Sequence, residues 1–321
     1  MNQTFPTKKE AEAFATSTES AMINGTWADV RHLRSTTVGS VVERYIEEIH
    51  PIKPFGKSKM STVRSVARDF QGVKVADLTP AMLLDYGRRK DVSPSTLTHH
   101  MTYLAQAVDM ARTLWGLHLN ENPVRTTMAV MSQLGMIGAS KERDRRLEDG
   151  EYERLIKAAG DHWISPMIDI ALHSAMRQGE IHQLLWSDID FDKEEILIRD
   201  RKDPRNKIGN DGVIPLFSGV KNALSRAQNY KSTGPRVFGV RESASISDRF
   251  ALVAKKAEVK DFRFHDLRHE AISRFFEQGL AIQEVAVISG HKTWEQLKRY
   301  TQLRPADISN KLRSDNHHKE E

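Results

Sequence analysis

Apolar residues recur at helical spacing along the first part of the chain. One stripe follows the i, i+3, i+4, i+7 pattern of an amphipathic helix, and it consists of Val38, Val41, Val42, Tyr45, Ile46 and Ile49. A second helix is predicted over 61–70. Thr79 before Pro80, and Ser93 before Pro94, each place an N-cap hydroxyl ahead of a proline at the first helical position. These segments predict four helices that form a small all-α domain.

The periodicity breaks between Leu134 and Glu151, where glycines, a serine and alternating charges predict a linker. Beyond it, β-branched runs at 194–198 and 212–216 predict a β-hairpin with a long basic loop. Further apolar-faced segments predict helices over 150–160, 166–176, 220–230, 245–259, 265–277, 282–288, 294–300 and 306–312, with another starting at Arg177. One hairpin among so many helices predicts a mainly α fold with a small β element, of the α+β class, and argues against a doubly wound sheet.

These patterns divide the chain into four parts. An N-terminal helical extension covers 1–37, and the all-α domain covers 38–137. A basic linker covers 138–147, and a mixed helical domain with a C-terminal tail helix covers 148–321. The cations of the linker either follow a phosphate backbone or are only solvated; they are Lys141, Arg143, Arg145 and Arg146.

Composition narrows the function. The 321 residues include no cysteine, which excludes disulfides, thiolate metal sites and cysteine nucleophiles. The N-terminus has no apolar stretch of a secretory signal, and no run of 18 apolar residues suggests a membrane span. We therefore expect a cytoplasmic protein without a membrane partner. A net charge of +5 suggests an anionic partner.

Two histidines four residues apart, His265 and His269, raise the question of a metal site. Neither completes an HExxH pattern, and a third ligand is not obvious. The pair could instead be a core histidine beside a surface one. Alternatively, His265 and Arg268, one helical turn apart, could together hold an anion. Phosphate-binding loops and nucleophile elbows are also missing from the sequence.

Three stretches together carry a resemblance to a known family. They are "ALHSAMRQGEIHQLLWSDID", "HDLRHEAISRF" and "SGHKTWEQLKRYTQL", in this order. His291 lies 23 residues after Arg268, and Tyr300 lies nine after His291. The chain, over roughly Val38 to Ser309, resembles the tyrosine recombinase (phage integrase) family. The resemblance implies an all-α core-binding domain and a mixed helical catalytic domain that close on DNA as a C-shaped clamp.

The resemblance also implies the catalytic set. Arg177 matches the first catalytic arginine, supported by Glu180. His265 and Arg268 match the second box, and His269 is its usual supporting histidine. His291 matches a position that some members fill with tryptophan. The remaining two positions are the nucleophile, Tyr300, and the hairpin-loop lysine, Lys202, for which Arg201 and Lys207 are close competitors.

The implied reaction is attack of the Tyr300 oxygen on a DNA phosphodiester, which gives a 3′-phosphotyrosyl link without metal, ATP or other cofactor. Two arginines suit the charge of the transition state, since guanidinium is always charged and offers a planar fork. His291 would add a hydrogen bond, His265 would accept the tyrosine proton, and Lys202 would protonate the leaving oxygen.

The implied partner is double-stranded DNA with a specific core site. Candidate contacts in the all-α domain are Arg64, Arg68, Arg88, Arg89, Lys90, His99 and His100, and those after it are the linker cations and Arg201. The tail helix is expected to dock on a neighbouring protomer in a homo-tetramer, and accessory DNA-bending or directionality proteins are expected. A bacterial, nucleoid-associated protein encoded by a phage or genomic island fits this implication.

Some alternatives stay open at this stage. The N-terminal helix resembles the end of a phage arm-binding domain without its strands, so that domain is either reduced or incomplete. A type IB topoisomerase would use a similar catalytic set to relax DNA. The other hypotheses are a non-catalytic DNA-binding protein and, more remotely, a zinc hydrolase.

Overall fold

A computed structural model describes residues 4–23, 30–117, 119–140, 142–201, 209–230 and 234–301 of the chain. The chain folds into two compact units, Met1–Glu142 and Arg143–Glu321, which we call unit 1 and unit 2. The division falls inside the segment predicted as a linker. Among the helices described, none is both long and apolar enough to cross a lipid bilayer.

The described part of unit 1 is helical, with one short bridge between Thr37 and Lys74. Its helices are α1 (Lys8–Ile23), α2 (Val30–Ser35), α3 (Val38–Ile49), α4 (Lys57–Asp69), α5 (Pro80–Arg89), α6 (Pro94–Leu114) and α7 (Pro123–Gln133). The predicted caps are confirmed, because the hydroxyls of Thr79 and Ser93 accept backbone N–H groups three residues later. Helix α7 was not predicted, although Asn122 caps it and a proline opens it.

The predicted apolar stripes form the core of unit 1. Val42, Phe70, Leu83 and Met101 have no exposed surface. Helices α3 and α4 approach closely at Gly39, where a Cβ atom would lie 2.6 Å from the Cα of Gln71. Only a glycine permits this approach, which fixes the start of α3 against the end of α4.

Unit 2 surrounds α9 (Ile164–Ser174), which is buried on almost every side. An all-round apolar helix of this kind belongs at the centre of a domain. It contacts α8 (Glu151–Ala159), α11 (Ser218–Ala227), α12 (Ala244–Lys256) and α13 (Asp266–Glu277). The other helices are α10 (Gln178–Gln183), α14 (Ile282–Ser289) and α15 (Glu295–Lys298).

The described part of unit 2 has one three-stranded antiparallel sheet, ordered β1 (Ile189–Asp190), β2 (Glu195–Ile198), β3 (Gly212–Pro215). The predicted hairpin is confirmed as β2 and β3, with Leu197 opposite Val213. Strand β1 was not predicted, because two residues are too few to show a period. The hairpin loop, residues 202–208, lies outside the described residues, as does the predicted tail helix over 306–312.

A separate apolar cluster anchors the C-terminal helices. It contains Ile272 and Phe275 of α13, Val285 and Ile288 of α14, and Leu297 of α15. Leu297 has no exposed surface, and its carbonyl accepts the backbone N–H of Tyr300 at 2.9 Å. The cluster therefore fixes the position of the last described turn relative to α13.

Candidate active site

Four of the predicted catalytic residues lie on separate segments of unit 2. Arg177 precedes α10, Arg268 lies on α13, His291 follows α14 and Tyr300 follows α15. We call Arg177, Arg201 and Arg268, with the carboxylate of Glu180 among them, the arginine cluster. The charges of Arg177 and Arg201 both act on Glu180 and on Arg268.

Glu180 organises the first arginine. One carboxylate oxygen accepts the backbone N–H of Arg177 at 2.8 Å, and the other accepts its Nη1 at 2.8 Å. This is the carboxylate half of a capping box at the start of α10. Burial alone would raise the pKa of Glu180, but Arg201, the Arg177 N–H and the Arg177 charge hold it below its usual value. The carboxylate is therefore ionised and directs the Arg177 side chain.

Arg268 is held by backbone carbonyls. Its side chain is 3% exposed and donates to the carbonyl of Ala175 and, at 2.7 Å, to that of Ser289. Ala175 ends α9 with a positive φ of 53°, which turns this carbonyl toward the guanidinium. Burial, with the charge of Arg177, lowers the pKa of Arg268 to about 9. The group stays cationic at neutral pH but lacks a full counter-charge, as a site for an anion requires.

His291 lies against Arg268, with Nε2 at 3.4 Å from Nη2. Its Nδ1 is 2.7 Å from the hydroxyl of Ser289, and that hydroxyl donates to the carbonyl of Val285 at 2.6 Å. The hydroxyl can therefore accept the Nδ1 proton, which leaves Nε2 as an acceptor toward Arg268. Burial, with the charges of Arg268 and Arg177, lowers the pKa of His291 to about 3, so the ring is neutral.

The tyrosine hydroxyl contacts His269 rather than His265. Nδ1 of His269 is hydrogen-bonded to the Tyr300 hydroxyl, and the two rings stack with centroids 5.9 Å apart. Burial, with the charge of His265, lowers the pKa of His269 to about 4. The ring is therefore neutral, so Nδ1 can carry a lone pair that accepts the phenolic proton. His265, the predicted acceptor, is exposed at the start of α13 with its ring edge-on to His269 at 5.0 Å.

Arg201 is placed differently from the prediction. As a DNA contact it is wrong, because its side chain is 5% exposed and has internal partners. It donates to the carbonyls of Val287 at 3.1 Å and Ile288 at 2.9 Å, at the C-terminal end of α14, and lies 3.4 Å from Glu180. Arg201 therefore joins the arginine cluster to the turn that carries His291.

The remaining cations fall into three groups. Lys202, its competitor Lys207 and Lys141 lie outside the described residues. Exposed positions are Arg64, Arg68, Arg88, Arg89 and His99, while Lys90 is partly exposed and pairs with Asp69 at 2.5 Å. His100 is wrong as a DNA contact, since it is 5% exposed and bonds the hydroxyl of Tyr86 at 2.8 Å.

The linker arginines of unit 2 are paired with carboxylates. Arg143 pairs with Asp266 at 2.9 Å, Arg145 with Glu151 at 2.5 Å and Arg146 with Glu270 at 3.0 Å. They are neither simply solvated nor open toward a phosphate backbone. Sequence reasoning missed these partners, although Asp266 and Glu270 lie on one face of α13.

Metal ligands do not gather in the described part of the chain. No group of three or more His, Asp or Glu side chains there is placed to hold a metal ion. Of the i, i+4 histidine pair, His269 instead contacts the Tyr300 hydroxyl.

Comparisons with known proteins agree on one family. The model of the phage integrase family matches residues 145–307. The shufflon-specific DNA recombinase of Escherichia coli is 31% identical over 276 residues, which are 85% of this chain and 64% of that protein. The integrase of Salmonella phage P22 is 25% identical over 239 residues, or 70% of this chain and 58% of that protein. The chain therefore spans a little under two thirds of these relatives.

Solved structures show the fold. A lambda integrase(75-356) dimer bound to a COC′ core site has a TM-score of 0.65 at 20% identity, covering 84% of this chain and 97% of that one. A lambda integrase tetramer bound to a Holliday junction has a TM-score of 0.66 at 19% identity, covering 93% of this chain and 88% of that one. The mostly helical architecture with one small sheet is shared with these structures.

Proposed function

Because the chain belongs to the phage integrase family, we propose that it is a site-specific DNA recombinase that cleaves and rejoins DNA through a covalent phosphotyrosine. One observation carries this proposal. The Tyr300 hydroxyl is hydrogen-bonded to His269, which is neutral and lies on the same helix as Arg268. A nucleophile, a proton acceptor and cations for a phosphate are thus contributed by adjacent elements.

The first step is a phosphoryl transfer. The Tyr300 oxygen attacks phosphorus, its proton passes to Nδ1 of His269, and the bond from phosphorus to the 5′-oxygen breaks. The products are a 3′-phosphotyrosyl link and a 5′-hydroxyl. The 5′-hydroxyl of a partner strand then attacks the phosphotyrosyl link and reverses the step. The energy of the broken bond is kept in the link, so the cycle needs no ATP.

The arginine cluster stabilises the transition state. Arg177 and Arg268 are fixed before substrate arrives, Arg177 by Glu180 and Arg268 by two carbonyls. Preorganised cations of this kind cost no reorganisation when charge develops on the phosphate. Removing one such donor typically lowers the rate by about 10²–10³-fold. We expect this loss for Arg268→Gln, with DNA affinity largely kept.

The leaving 5′-oxygen needs a proton donor. Lys202 is our candidate, and Lys207 is its competitor on the same loop; both lie outside the described residues. A 5′-bridging sulfur leaves without protonation, so this substrate should restore cleavage to the alanine variant of the true donor and to no other variant. The pair Lys202→Ala and Lys207→Ala therefore identifies the residue.

The proposed partner is double-stranded DNA carrying a core site, bound by exposed cations of unit 1 and by unit 2. Affinity should rest on phosphate contacts and fall with salt. We further propose a homo-tetramer during strand exchange, with the residues after Thr301 docking between protomers. Accessory bending or directionality proteins and a bacterial cytoplasmic setting complete the proposal.

A covalent-capture experiment tests the proposed function. A pool of random-sequence duplexes, nicked so that the short 3′ fragment diffuses away after cleavage, is incubated with the protein. Wild type should retain DNA in a denaturant-stable adduct, and Tyr300→Phe should retain none while still binding duplex. An adduct that survives Tyr300→Phe, or its absence in wild type, would sink the assignment. A plasmid with two copies of the captured sequence then distinguishes recombination between the two sites from relaxation of the plasmid by a topoisomerase.

A further inference from the structure

Residues 143–147, which we call the strap, follow directly after the last residue of unit 1 and run along α13. Arg143 makes the first attachment. Its Nε donates to both oxygens of Asp266, at 2.9 and 3.0 Å. Its Nη1 donates to both oxygens of Asp261, at 3.0 and 3.1 Å. Five hydrogen bonds, with the Asp261 carbonyl included, fix one guanidinium to the start of the helix that carries Arg268 and His269.

Arg146 and Leu147 make the second attachment. Arg146 donates to the two oxygens of Glu270 at 3.0 and 3.1 Å, and it also pairs with Glu277. The backbone N–H of Leu147 donates to Glu270 at 3.2 Å. Asp266, Glu270 and Glu277 recur at i, i+4 and i+11, which places them on one helical face. The strap therefore covers the length of α13.

The two innermost carboxylates make this attachment strong. Asp266 is 2% exposed and Glu270 is 3% exposed. A buried carboxylate needs a cation and hydrogen bonds, because removing one partner leaves an uncompensated buried charge. Burial would raise the pKa of Glu270, but hydrogen bonds from Arg146 and Arg274 hold it below its usual value. The strap is thus a fixed part of unit 2.

Arg299 joins the strap to the nucleophile. Its Nη2 donates to the backbone carbonyl of Arg143 and lies 3.2 Å from Oδ1 of Asp144. The same guanidinium lies 5.2 Å from the centroid of the Tyr300 ring. The ring also stacks on His269 and on Phe276 and is half-buried. Arg299 therefore contacts both the strap and the Tyr300 ring.

We propose that Arg143 and Arg299 are positioning residues for Tyr300, so that the segment leaving unit 1 sets where the nucleophile hydroxyl lies. The inference rests on the proposed function. Arg143 holds the strap against α13, its carbonyl holds Arg299, and Arg299 holds the Tyr300 ring beside His269. A displacement of Glu142, the last residue of unit 1, reaches the nucleophile through two side chains.

The test uses variants of the full chain and the nicked duplex captured by wild type. Arg143→Met and Arg299→Met break the connection. Arg226→Met is the control for Arg143, since it also removes an arginine from a buried aspartate of unit 2, Asp169. Arg249→Met is the control for Arg299, since it removes an exposed arginine of unit 2 that contacts a ring, His162, and touches neither α13 nor the strap in the contacts described. Single-turnover cleavage at saturating DNA, duplex affinity and thermal unfolding are measured for each.

We expect Arg143→Met and Arg299→Met to lower the cleavage rate constant about ten- to a hundredfold, the scale of a nucleophile displaced by an ångström. Duplex affinity should stay within about twofold, as should both control rates. The double variant Arg143→Met/Arg299→Met should be no slower than the slower single variant, because both act through one connection. Arg299→Lys, which keeps one donor, should be intermediate.

Three results would overturn the inference while the proposed function stands. They are unchanged rates in both strap variants, rate losses that multiply in the double variant, or equal losses in the controls that follow the unfolding temperature. Arg299→Met leaves no buried carboxylate unpaired, so this variant keeps the test decisive even if Arg143→Met does not fold. Absence of a Tyr300-dependent adduct in wild type would overturn both proposals together.

Discussion

The two units differ in the charged side chains that they bury. Among the described residues of unit 1, the buried polar side chains are His100, Asn122 and Thr127, and no Asp, Glu, Lys or Arg is buried. The described part of unit 2 buries eight such charged residues, which are Glu151, Asp169, Glu180, Asp188, Arg201, Asp266, Arg268 and Glu270. Both units have apolar cores of ordinary type, so the difference lies in the charges alone.

The difference separates folding from chemistry. Taking a charge out of water costs several kcal/mol even after relaxation, and a core that only has to fold avoids that cost. Unit 1 does so and keeps its cations on the surface, where they suit a DNA backbone. Unit 2 accepts the cost, and five of its eight buried charges lie in the arginine cluster or on α13 under the strap: Glu180, Arg201, Arg268, Asp266 and Glu270. Most of the buried charge of unit 2 thus lies in the arginine cluster or under the strap.

The largest effect should follow from removing the central carboxylate. Glu180→Gln leaves the buried Arg201 without its counter-ion, and we expect a loss of about 3–5 kcal/mol in the free energy of unfolding. Asp188→Asn is the control, because its partner Arg199 is 52% exposed and can turn into water. Urea unfolding measures both. Equal losses would break the comparison, since they would mean that the buried cluster carries no special cost.

A smaller loss should come from Gly290→Ala, which disturbs Arg201 without changing any charge. An added Cβ would lie 2.5 Å from the Arg201 Cζ, at a φ of +67°. The positive φ costs about 1–2 kcal/mol, and overpacking adds about 1–3 kcal/mol. Gly279→Ala shares the positive φ but meets nothing within 4 Å. The difference between the two variants in the free energy of unfolding isolates the overpacking contribution. Equal losses in both variants would contradict the placement of Arg201.

Acid should destabilise unit 2 through its neutral histidines. His291 and His269 have folded pKa values of about 3 and about 4, against 6.5 when unfolded. Between these values the unfolded chain binds more protons, so stability falls as the pH is lowered from about 6.5 toward 3. His291→Gln should lose less stability over this window, while the exposed His99→Gln should follow wild type. Thermal unfolding against pH checks this, and superimposable curves for wild type and His291→Gln would contradict it.

The smallest effect concerns the surface of unit 1. Arg64→Ala should lower the slope of log affinity against log salt by about 0.9 if this exposed cation meets one phosphate. The buried His100→Gln should leave the slope unchanged, because its ring bonds Tyr86 inside the core. Fluorescence titration at several salt concentrations measures both slopes. A change for His100 and none for Arg64 would reverse our assignment of surface and core in this unit.

Local patterns carried much of the fold. The caps at Thr79 and Ser93 and the hairpin β2–β3 depend on neighbouring residues, and the structure confirms them. Helix α7 lacked a long enough stripe to be separated from its surroundings, and β1 is two residues long. Such short elements are specified by what they pack against, which a local period does not show.

The site was predictable as a set and less so in its contacts. Spacing and resemblance brought Arg177, Arg268, His291 and Tyr300 into one group. Whether His265 or His269 reaches the Tyr300 hydroxyl depends on the direction in which each ring leaves α13, and the structure places His269 on that hydroxyl. The burial of Arg201 and the pairing of the strap arginines depend on residues about 80 to 120 positions away, which the sequence spacing alone did not reveal.

The most direct measurement of the central claim is the chemical identity of the residue joined to DNA. The covalent adduct is digested with protease and nuclease, and the peptide that carries a nucleotide remnant is sequenced by mass spectrometry. Our account predicts a 3′-phosphodiester on the hydroxyl of Tyr300, and no adduct from Tyr300→Phe. A remnant on any other residue, or none at all with cleaved DNA present, would contradict it.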